Sequence, residues 1–166
     1  IEEFGISTLK NLIFGKGFDV GLVIGGPPCQ GLSGLSRERR GLEDPRSNGI
    51  DQFIQLCLDC RAAAPQMSWH FVTENVYSMS DGDRNAITAK HRPLGVSLPL
   101  AYDAKLIGPI NRPRLYWTSW KVELGDLLIE DSCRGYLKVL SESSETGVPV
   151  QQFLDPGCTK VKGNKS

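Results

Sequence analysis

One cysteine occupies a turn that suits a nucleophile. Cys29 follows an apolar run from Phe18 to Ile24 through the segment Gly25-Gly26-Pro27-Pro28. Glycines permit a tight turn and prolines stiffen it, so the thiol would be held on a rigid loop at the end of a buried strand. A cysteine reacts as its thiolate, which electropositive neighbours would favour. A structural cysteine in a turn is the alternative, and the Pro-Cys setting favours the nucleophile.

Two further groups have side chains that could act on the same substrate. Glu74 lies near the end of a second apolar run, from Trp69 to Val76, where a carboxylate is costly unless it is paired or used. Arg112 and Arg114 stand just before another apolar run, and arginine binds phosphate or the oxygen of a base. Taken alone, Glu74 is equally well explained as an exposed charge at a strand end, and Arg112 and Arg114 are better explained as two surface arginines in a turn. With Cys29, they would supply a nucleophile, a carboxylate and two cations.

The elements that would position these groups alternate between strand and helix. Short apolar runs with β-branched and aromatic residues predict strands over 18–24, 69–76, 100–105 and 115–120. Apolar residues at helical spacing predict a helix from Ile50 to Cys60, and the polar stretch from Asp81 to His91 is also helix-like. This alternation predicts an α/β sheet, in which ligands bind at the carboxyl ends of strands, here after Ile24 and Val76.

Composition limits the class of function. The chain of 166 residues has the size of one domain, and its formal net charge is +0, so bulk positive charge does not drive nucleic-acid binding. No apolar run reaches the roughly 18–20 residues that span a bilayer, and we expect no membrane association. Five unevenly spaced cysteines without a secretory signal indicate an intracellular protein with free thiols. Cys57 and Cys60 lack a second pair at zinc spacing, and no metal site is expected.

The three groups, in this order, resemble the motifs of the cytosine-5 DNA methyltransferase family. The matching segments are Leu22 to Ser33 with Pro28-Cys29-Gln30 at its centre, Asp44-Pro45-Arg46-Ser47-Asn48, Glu74-Asn75-Val76 and Arg112-Pro113-Arg114. Each motif alone is weakly to moderately specific, whereas the ordered set is strong. The resemblance implies an α/β fold with the Rossmann-like sheet of S-adenosylmethionine-dependent methyltransferases, and DNA as the partner.

The resemblance also implies a chemical role for each group. Cys29 would attack C6 of a cytosine flipped out of the duplex, which makes C5 nucleophilic, and S-adenosylmethionine would donate the methyl group. Glu74 would hydrogen-bond the ring nitrogen and the exocyclic amine. Arg114 would contact the base oxygen, and Arg112 would help to place the base or the Cys29 loop.

Further residues are expected around this centre by the same resemblance. Pro28 and Asn75 would lie beside the cofactor. The segment from Ser33 to Arg46 would be a mobile loop that closes over DNA. The residues expected to contact DNA are Gln30, Ser33, Arg37, Arg39 and Arg40.

The chain departs from the family pattern towards both ends. The Phe-x-Gly-x-Gly loop of the cofactor site and the acidic residue that holds the ribose are absent, and the late motifs are not visible after Glu123. We therefore expect a sheet that is incomplete at both ends, inactive alone and joined to other domains in a longer parent chain. Residues 1–123 would be part of a catalytic domain, and 124–166 a weakly structured continuation or the start of a target-recognition region. In a eukaryote, the protein would be nuclear.

Three other functions stay open on sequence alone. A tRNA cytosine-5 methyltransferase uses the same cysteine chemistry, although Gly31-Leu32-Ser33 favours the DNA type. A non-catalytic regulatory relative would normally have lost Cys29 or Glu74, and both are present. A thiol enzyme unrelated to methylation would need a histidine near Cys29, for which His70 and His91 are the candidates.

Overall fold

The part of the chain that the structure describes contains three α-helices and six β-strands. The structure is a computed structural model, and it describes residues 6–13, 16–28, 31–32, 40–106, 110–121, 128–132 and 135–140. The helices are α1 (Ile6–Ile13), α2 (Gly49–Ala63) and α3 (Asp81–His91). The strands are β1 (Val20–Gly25), β2 (Ser68–Val76), β3 (Leu100–Asp103), β4 (Pro113–Thr118), β5 (Leu128–Ser132) and β6 (Tyr136–Leu140). The four strands and two helices predicted from the sequence are all present.

The strands form one mixed sheet in the order β1-β2-β4-β3-β6-β5. β1 and β2 are parallel, as a strand–helix–strand crossover requires, and β4 runs antiparallel to both β2 and β3. β6 is parallel to β3, and β5 and β6 form a hairpin. The predicted α/β class is confirmed. The sheet is mixed, and it is consistent with a Rossmann-like methyltransferase fold.

The sheet continues beyond the point where the sequence pattern weakened. β5 and β6 both follow Glu123, and β6 pairs with β3 through Leu100 opposite Leu137 and Ala101 opposite Lys138. Residues 128–140 therefore contain two strands of the same sheet, which the sequence pattern did not predict.

Glycines let α2 pack closely on the first two strands. A Cβ at Gly25 would lie 2.5 Å from the Phe53 ring of α2, and one at Gly21 would lie 2.3 Å from Trp69. Either contact is far shorter than side chains tolerate, so any larger residue would push the helix or the neighbouring ring away. Phe53 is 3% exposed and belongs to the main apolar core between the helices and the sheet.

A polar network ties α3 to the centre of the sheet. His91 lies 2.8 Å from the Ile87 carbonyl through Nδ1 and 2.9 Å from the Thr73 hydroxyl through Nε2. Since a carbonyl only accepts, Nδ1 carries the proton and neutral Nε2 accepts from Thr73. The imidazole stacks on Trp117, whose Nε1 donates to the Thr88 hydroxyl. These bonds satisfy polar groups that are buried in an otherwise apolar core.

The opposite face of β1 carries exposed apolar side chains. Val20, Leu22 and Ile24 are 60%, 56% and 68% exposed, and β1 is an edge strand of the sheet. Parallel strands are usually covered on both faces, and exposed apolar edges invite further pairing. Within the described residues, no helix is long and apolar enough to cross a membrane.

The second half of the predicted mobile loop is anchored. Residues 41–43 and 45–47 form short 3₁₀ turns, and the Gly41 amide donates to the Gly31 carbonyl at 2.9 Å. The Leu42 amide donates to Asp83 Oδ1, beside the amino-terminal cap of α3. Residues 33–39 of the predicted mobile loop lie outside the described residues, and a movement of the loop from Gly41 onward would have to break these bonds. The mobile loop from Ser33 to Arg46 stays a prediction.

The buried imidazole makes stability depend on pH. Burial lowers the pKa of His91 below 6.5, although its bond to Ile87 opposes this shift. The unfolded chain therefore takes up a proton near pH 6.5 that the folded chain resists, and the folded state loses stability as the pH falls further. The free energy of unfolding in urea is measured at about pH 7.5 and about pH 5. Its decrease from the higher to the lower pH should be smaller for His91→Gln than for wild type.

His70→Gln is the control for this comparison, because it removes the other imidazole of the chain. The loss of pH dependence should follow the substitution at His91 and not the one at His70. An unchanged pH dependence in His91→Gln would show that the buried imidazole is not responsible.

Candidate active site

The carboxyl ends of β1 and β2 bring two of the predicted segments together. Gly25, the last residue of β1, is in register with Thr73, the residue before Glu74. The chain then continues through Gly26, where a Cβ would lie 3.3 Å from Glu74 Oε2. The loop that leads towards Cys29 therefore starts directly beside the Glu74 carboxylate, as predicted for a site at this edge of the sheet.

Glu74 and Arg114 form an ion pair across two antiparallel strands. Arg114 Nε lies 2.6 Å from Glu74 Oε1, and the side chains are 21% and 33% exposed, respectively. Arg114 Nη1 also donates to the Pro113 carbonyl at 2.8 Å. These two bonds fix the guanidinium plane beside the Glu74 carboxylate. The structure thus joins two groups that the sequence had placed in one site.

Arg112 lies at the approach to β4. Its amide donates to Asp103 Oδ1 at 2.8 Å, and the Asp103 carboxylate also accepts from the Lys105 amide. Asp103 therefore organises the connection between β3 and β4, and the Arg112 side chain is exposed at its end.

Tyr116 is a neighbour of the pair that the motif comparison did not single out. It is in register with Glu74 across β2 and β4, so both side chains lie on the same face of the sheet. Burial raises the pKa of the Tyr116 hydroxyl, the Glu74 charge raises it further, and Arg114 and Arg112 oppose the increase. Strand periodicity, which places Arg114 and Tyr116 on one face, is the sequence signal that could have identified it.

Asn75 and Pro28 were predicted to lie beside the cofactor. Asn75 is 2% exposed; its Nδ2 donates to the Pro27 carbonyl at 3.3 Å, and its Oδ1 accepts from the Val76 amide. Pro28 packs on the start of α2, where a Cβ at Gly49 would lie 2.9 Å from the proline ring. Asn75 therefore ties the loop after β1 to the end of β2, and its cofactor role stays a prediction.

Neither histidine resembles the partner of a reactive thiol. His70 is in register with Leu22, in the middle of β1, and its ring packs edge-on against Trp120. Both nitrogens of His91 already have partners within the core. These positions give no support to a thiol–histidine enzyme.

Several predicted site residues lie outside the described residues. These are Cys29, Gln30, Ser33, Arg37 and Arg39. Arg40, the remaining predicted DNA contact, is exposed, and its carbonyl accepts from the Glu43 amide at 3.2 Å. Cys57 and Cys60 are buried free thiols in α2, and burial raises the pKa of Cys57 to about 12, which makes it unreactive.

Comparison with known proteins supports the family resemblance. No family model matches the chain. The chain is 43% identical over 61 residues to the type II methyltransferase M.AquIA of a Picosynechococcus strain, which covers 37% of this chain and 22% of that protein. It is 41% identical over 59 residues to the DNA (cytosine-5)-methyltransferase CMT2 of Arabidopsis thaliana, covering 34% of this chain and 5% of that protein. The resemblance to part of a cytosine-5 DNA methyltransferase is confirmed.

Removing the Asn75 amide should loosen the edge that carries Glu74. Asn75→Ala loses both of its hydrogen bonds and leaves the partly buried Pro27 carbonyl and the buried Val76 amide without those partners, which costs about 1–3 kcal/mol. Urea unfolding measures this loss.

Asn48→Ala is a matched control, since Asn48 is exposed and makes no side-chain capping bond at the start of α2. Its free energy of unfolding should change by less than about 0.5 kcal/mol. Equal effects of the two substitutions would contradict the assigned role of Asn75.

Proposed function

We propose that this chain carries the base-activating part of a DNA cytosine-5 methyltransferase. The observation that carries the proposal is the ion pair of Glu74 and Arg114, beside the Gly26 turn and at the carboxyl end of two parallel strands. It places a carboxylate and a guanidinium side by side where an α/β sheet binds its ligands. The matches to a DNA (cytosine-5)-methyltransferase and to a type II methyltransferase support the same class of reaction.

The chemistry begins with a covalent bond to the base. The Cys29 thiolate donates an electron pair to C6 of cytosine, and a C–S bond forms as the C5–C6 double bond breaks. Electron density then collects at C5 and is delocalised towards N3, which makes C5 nucleophilic. The target base has to leave the stack for this attack, because C6 is inaccessible inside a duplex.

Glu74 and Arg114 hold the base during this step. In its acid form, the Glu74 carboxyl group would donate to N3, and its other oxygen would accept from the exocyclic amine. Its proton would thus neutralise the charge that reaches N3 as the thiolate adds. Arg114 directs the Nη2 end of its guanidinium to the base oxygen, since Nε and Nη1 are held by Glu74 and Pro113. Arg112, exposed at the end of the Asp103 connection, would contact the base or the loop beside it.

The methyl donor implied by the family resemblance is S-adenosylmethionine. Of the two residues predicted to touch it, Asn75 has a buried amide already bonded to the loop, and Pro28 packs on α2. These two residues do not form a cofactor pocket by themselves.

We also propose that further protein completes the site. β1 presents a free edge and an exposed apolar face, where a parallel sheet would normally continue. The matched segments cover 22% and 5% of the two relatives, so most of each relative lies outside the match. Residues 1–123 would belong to the catalytic domain and 124–166 to its continuation, with β5 and β6 extending the same sheet. An intracellular location, nuclear in a eukaryote, stays part of this proposal.

Two alternative functions differ from this proposal, one in its substrate and the other in lacking catalytic activity. A tRNA cytosine-5 methyltransferase would act on RNA with the same thiol chemistry. A regulatory relative would bind partners without adding to the base, yet the chain keeps both Cys29 and a paired Glu74. DNA is therefore the favoured substrate, and an RNA oligonucleotide is the comparison to include in each assay.

A half-reaction that needs no methyl donor tests the nucleophile. After Cys29 adds to C6, C5 takes up a proton from water. C5 then loses its original hydrogen, and the thiolate leaves, which restores cytosine. A single-stranded DNA oligonucleotide with tritium at cytosine C5, which avoids the cost of base flipping, should release tritium into water. Cys29→Ser should slow the release by at least about 100-fold, as expected for loss of a nucleophile.

Cys158→Ser is the matched thiol control and should keep the wild-type rate. Glu74→Gln should slow the release by about 100-fold or more, the usual contribution of a positioned acid or base. Tritium release at the wild-type rate by Cys29→Ser would refute the assignment of the nucleophile. Faster release from RNA than from DNA would favour the tRNA alternative.

Binding of the methyl donor tests the proposal that the site is incomplete. Titration calorimetry of the purified chain with S-adenosylmethionine should show no binding at micromolar concentrations, because the residues expected to hold the cofactor do not form a pocket. Micromolar affinity corresponds to about −8 kcal/mol, which would require a largely complete pocket and would overturn this part of the proposal.

A further inference from the structure

The chain two residues after Cys29 is packed closely against residues 41–47, called here the turn segment. Gly31 is buried, and a Cβ at this position would lie 2.8 Å from the Gly41 carbonyl oxygen and 2.9 Å from the Ser47 hydroxyl. Contacts this short admit only a glycine unless the neighbouring atoms move. The position of Gly31 is therefore set by the turn segment.

Hydrogen bonds reinforce this packing. The Gly41 amide donates to the Gly31 carbonyl at 2.9 Å, and the Gly41 carbonyl accepts from the Ser47 hydroxyl at 2.9 Å. Ser47 is 2% exposed, so its bond lies in a place where water competes weakly. Gly41 thus joins the end of the Cys29 loop to the rest of the turn segment.

The carboxylate of Asp83, in the first turn of α3, holds the turn segment from the other side. Its Oδ1 accepts from the Leu42 amide at 3.2 Å and its Oδ2 accepts from the Ser80 hydroxyl at 2.6 Å, so both oxygens are bonded. Gly41 has a φ of +60°, and a Cβ there would lie 2.5 Å from Oδ1. Both the backbone conformation and the close approach of the carboxylate require a glycine at this contact.

The chain is also held on the amino side of Cys29, by different elements. Asn75 of β2 donates to the Pro27 carbonyl, and the Pro28 ring packs where a Cβ at Gly49 of α2 would lie 2.9 Å away. The described residues before and after the cysteine are therefore both fixed to the body of the protein.

We infer that Asp83 is a positioning residue for the nucleophile. Its carboxylate fixes the turn segment, and the turn segment fixes Gly31 at the carboxyl end of the loop that carries Cys29. The inference rests on the proposed function, because it takes Cys29 as the group that attacks the base. Asp83 acts through backbone bonds in this assignment and does not touch the reacting atoms. Such a fixed loop end matters because a small misplacement of a nucleophile slows its reaction strongly.

The first arm of the test measures the anchor and needs no activity. Amide hydrogen exchange is followed by NMR in the complete chain. Asp83→Ala should speed exchange at the Leu42 amide by at least about tenfold, the effect of losing a hydrogen bond to a charged group. The Gly41 amide should also exchange faster, because its bond to Gly31 depends on the same anchor. An unchanged exchange rate at either amide would overturn the inference.

Two further variants separate the anchor from the stability of α3. Asp83→Asn keeps an oxygen that can accept from Leu42, and its exchange rates should stay within about threefold of wild type. Gly41→Ala leaves the α3 cap in place and pushes a methyl group against the carboxylate, so it should speed exchange at Leu42 as Asp83→Ala does. Amides of the β1–β2 pair should keep their wild-type rates in all three variants, which distinguishes a lost anchor from global unfolding.

The second arm measures tritium release from cytosine C5. The rate of Asp83→Ala at saturating oligonucleotide should fall about 10- to 100-fold while KM stays within about threefold, since the nucleophile is misplaced and the bound base keeps its other contacts. Asp83→Asn should recover most of this rate. Asp83→Ala with the wild-type rate would overturn the positioning role.

Asp51→Ala is the matched control. Asp51 is also a carboxylate in the first turn of a helix, α2, and it pairs with Lys90 at the surface. This variant should change neither the exchange at Leu42 and Gly41 nor the rate of tritium release, and effects equal to those of Asp83→Ala would overturn the inference.

The two arms also distinguish this inference from the proposed function. If wild type releases no tritium while Asp83→Ala speeds exchange at Leu42 and Gly41, the proposed function fails and the anchor stands. If wild type releases tritium and exchange at these amides does not respond to Asp83→Ala, the inference fails alone.

Discussion

The candidate site depends on the antiparallel direction of β4. Arg112 and Arg114 lie at the amino end of this strand, and Glu74 lies near the carboxyl end of β2. Because the two strands run in opposite directions, these ends meet, and Arg114 is in register with Val76. If β4 were parallel to β2, the arginines would reach the opposite edge, about six residues or roughly 20 Å away. The 2.6 Å ion pair exists only because the sheet is mixed.

Local sequence patterns predicted which segments form strands and helices, but not the direction in which each strand runs in the sheet. The apolar run before Gly25 and the helical spacing from Ile50 to Cys60 depend on neighbouring residues, and both predicted elements are present. The direction of β4 depends on contacts with β2 and β3, which no local pattern contains. β5 and β6 were also missed. β6 pairs with β3, which lies far away in the sequence, and β5 pairs with β6.

In the candidate site, too, some features follow from local sequence patterns and others only from contacts in the folded chain. The motif order singled out Glu74 and Arg114, and the structure brings their side chains into contact. Tyr116 was missed because its relation to Glu74 is a cross-strand register, which exists only after the sheet forms. Asn75 was assigned to the cofactor from its motif, which stays a prediction, and the structure adds that its buried amide bonds the Pro27 carbonyl. A residue next to a reactive group in sequence can serve the backbone that carries that group.

One face of the sheet carries a buried polar network, and the other face carries the candidate site. On the helix side, Thr73, His91 and Trp117 form a buried network whose polar atoms are satisfied within the protein. On the other face, Glu74 and Arg114 neutralise each other but remain partly exposed. In the proposed function, an uncharged base would enter a site in which these two charges already neutralise each other. The zero net charge of the chain is consistent with this arrangement, because recognition by paired side chains does not require a strongly basic surface.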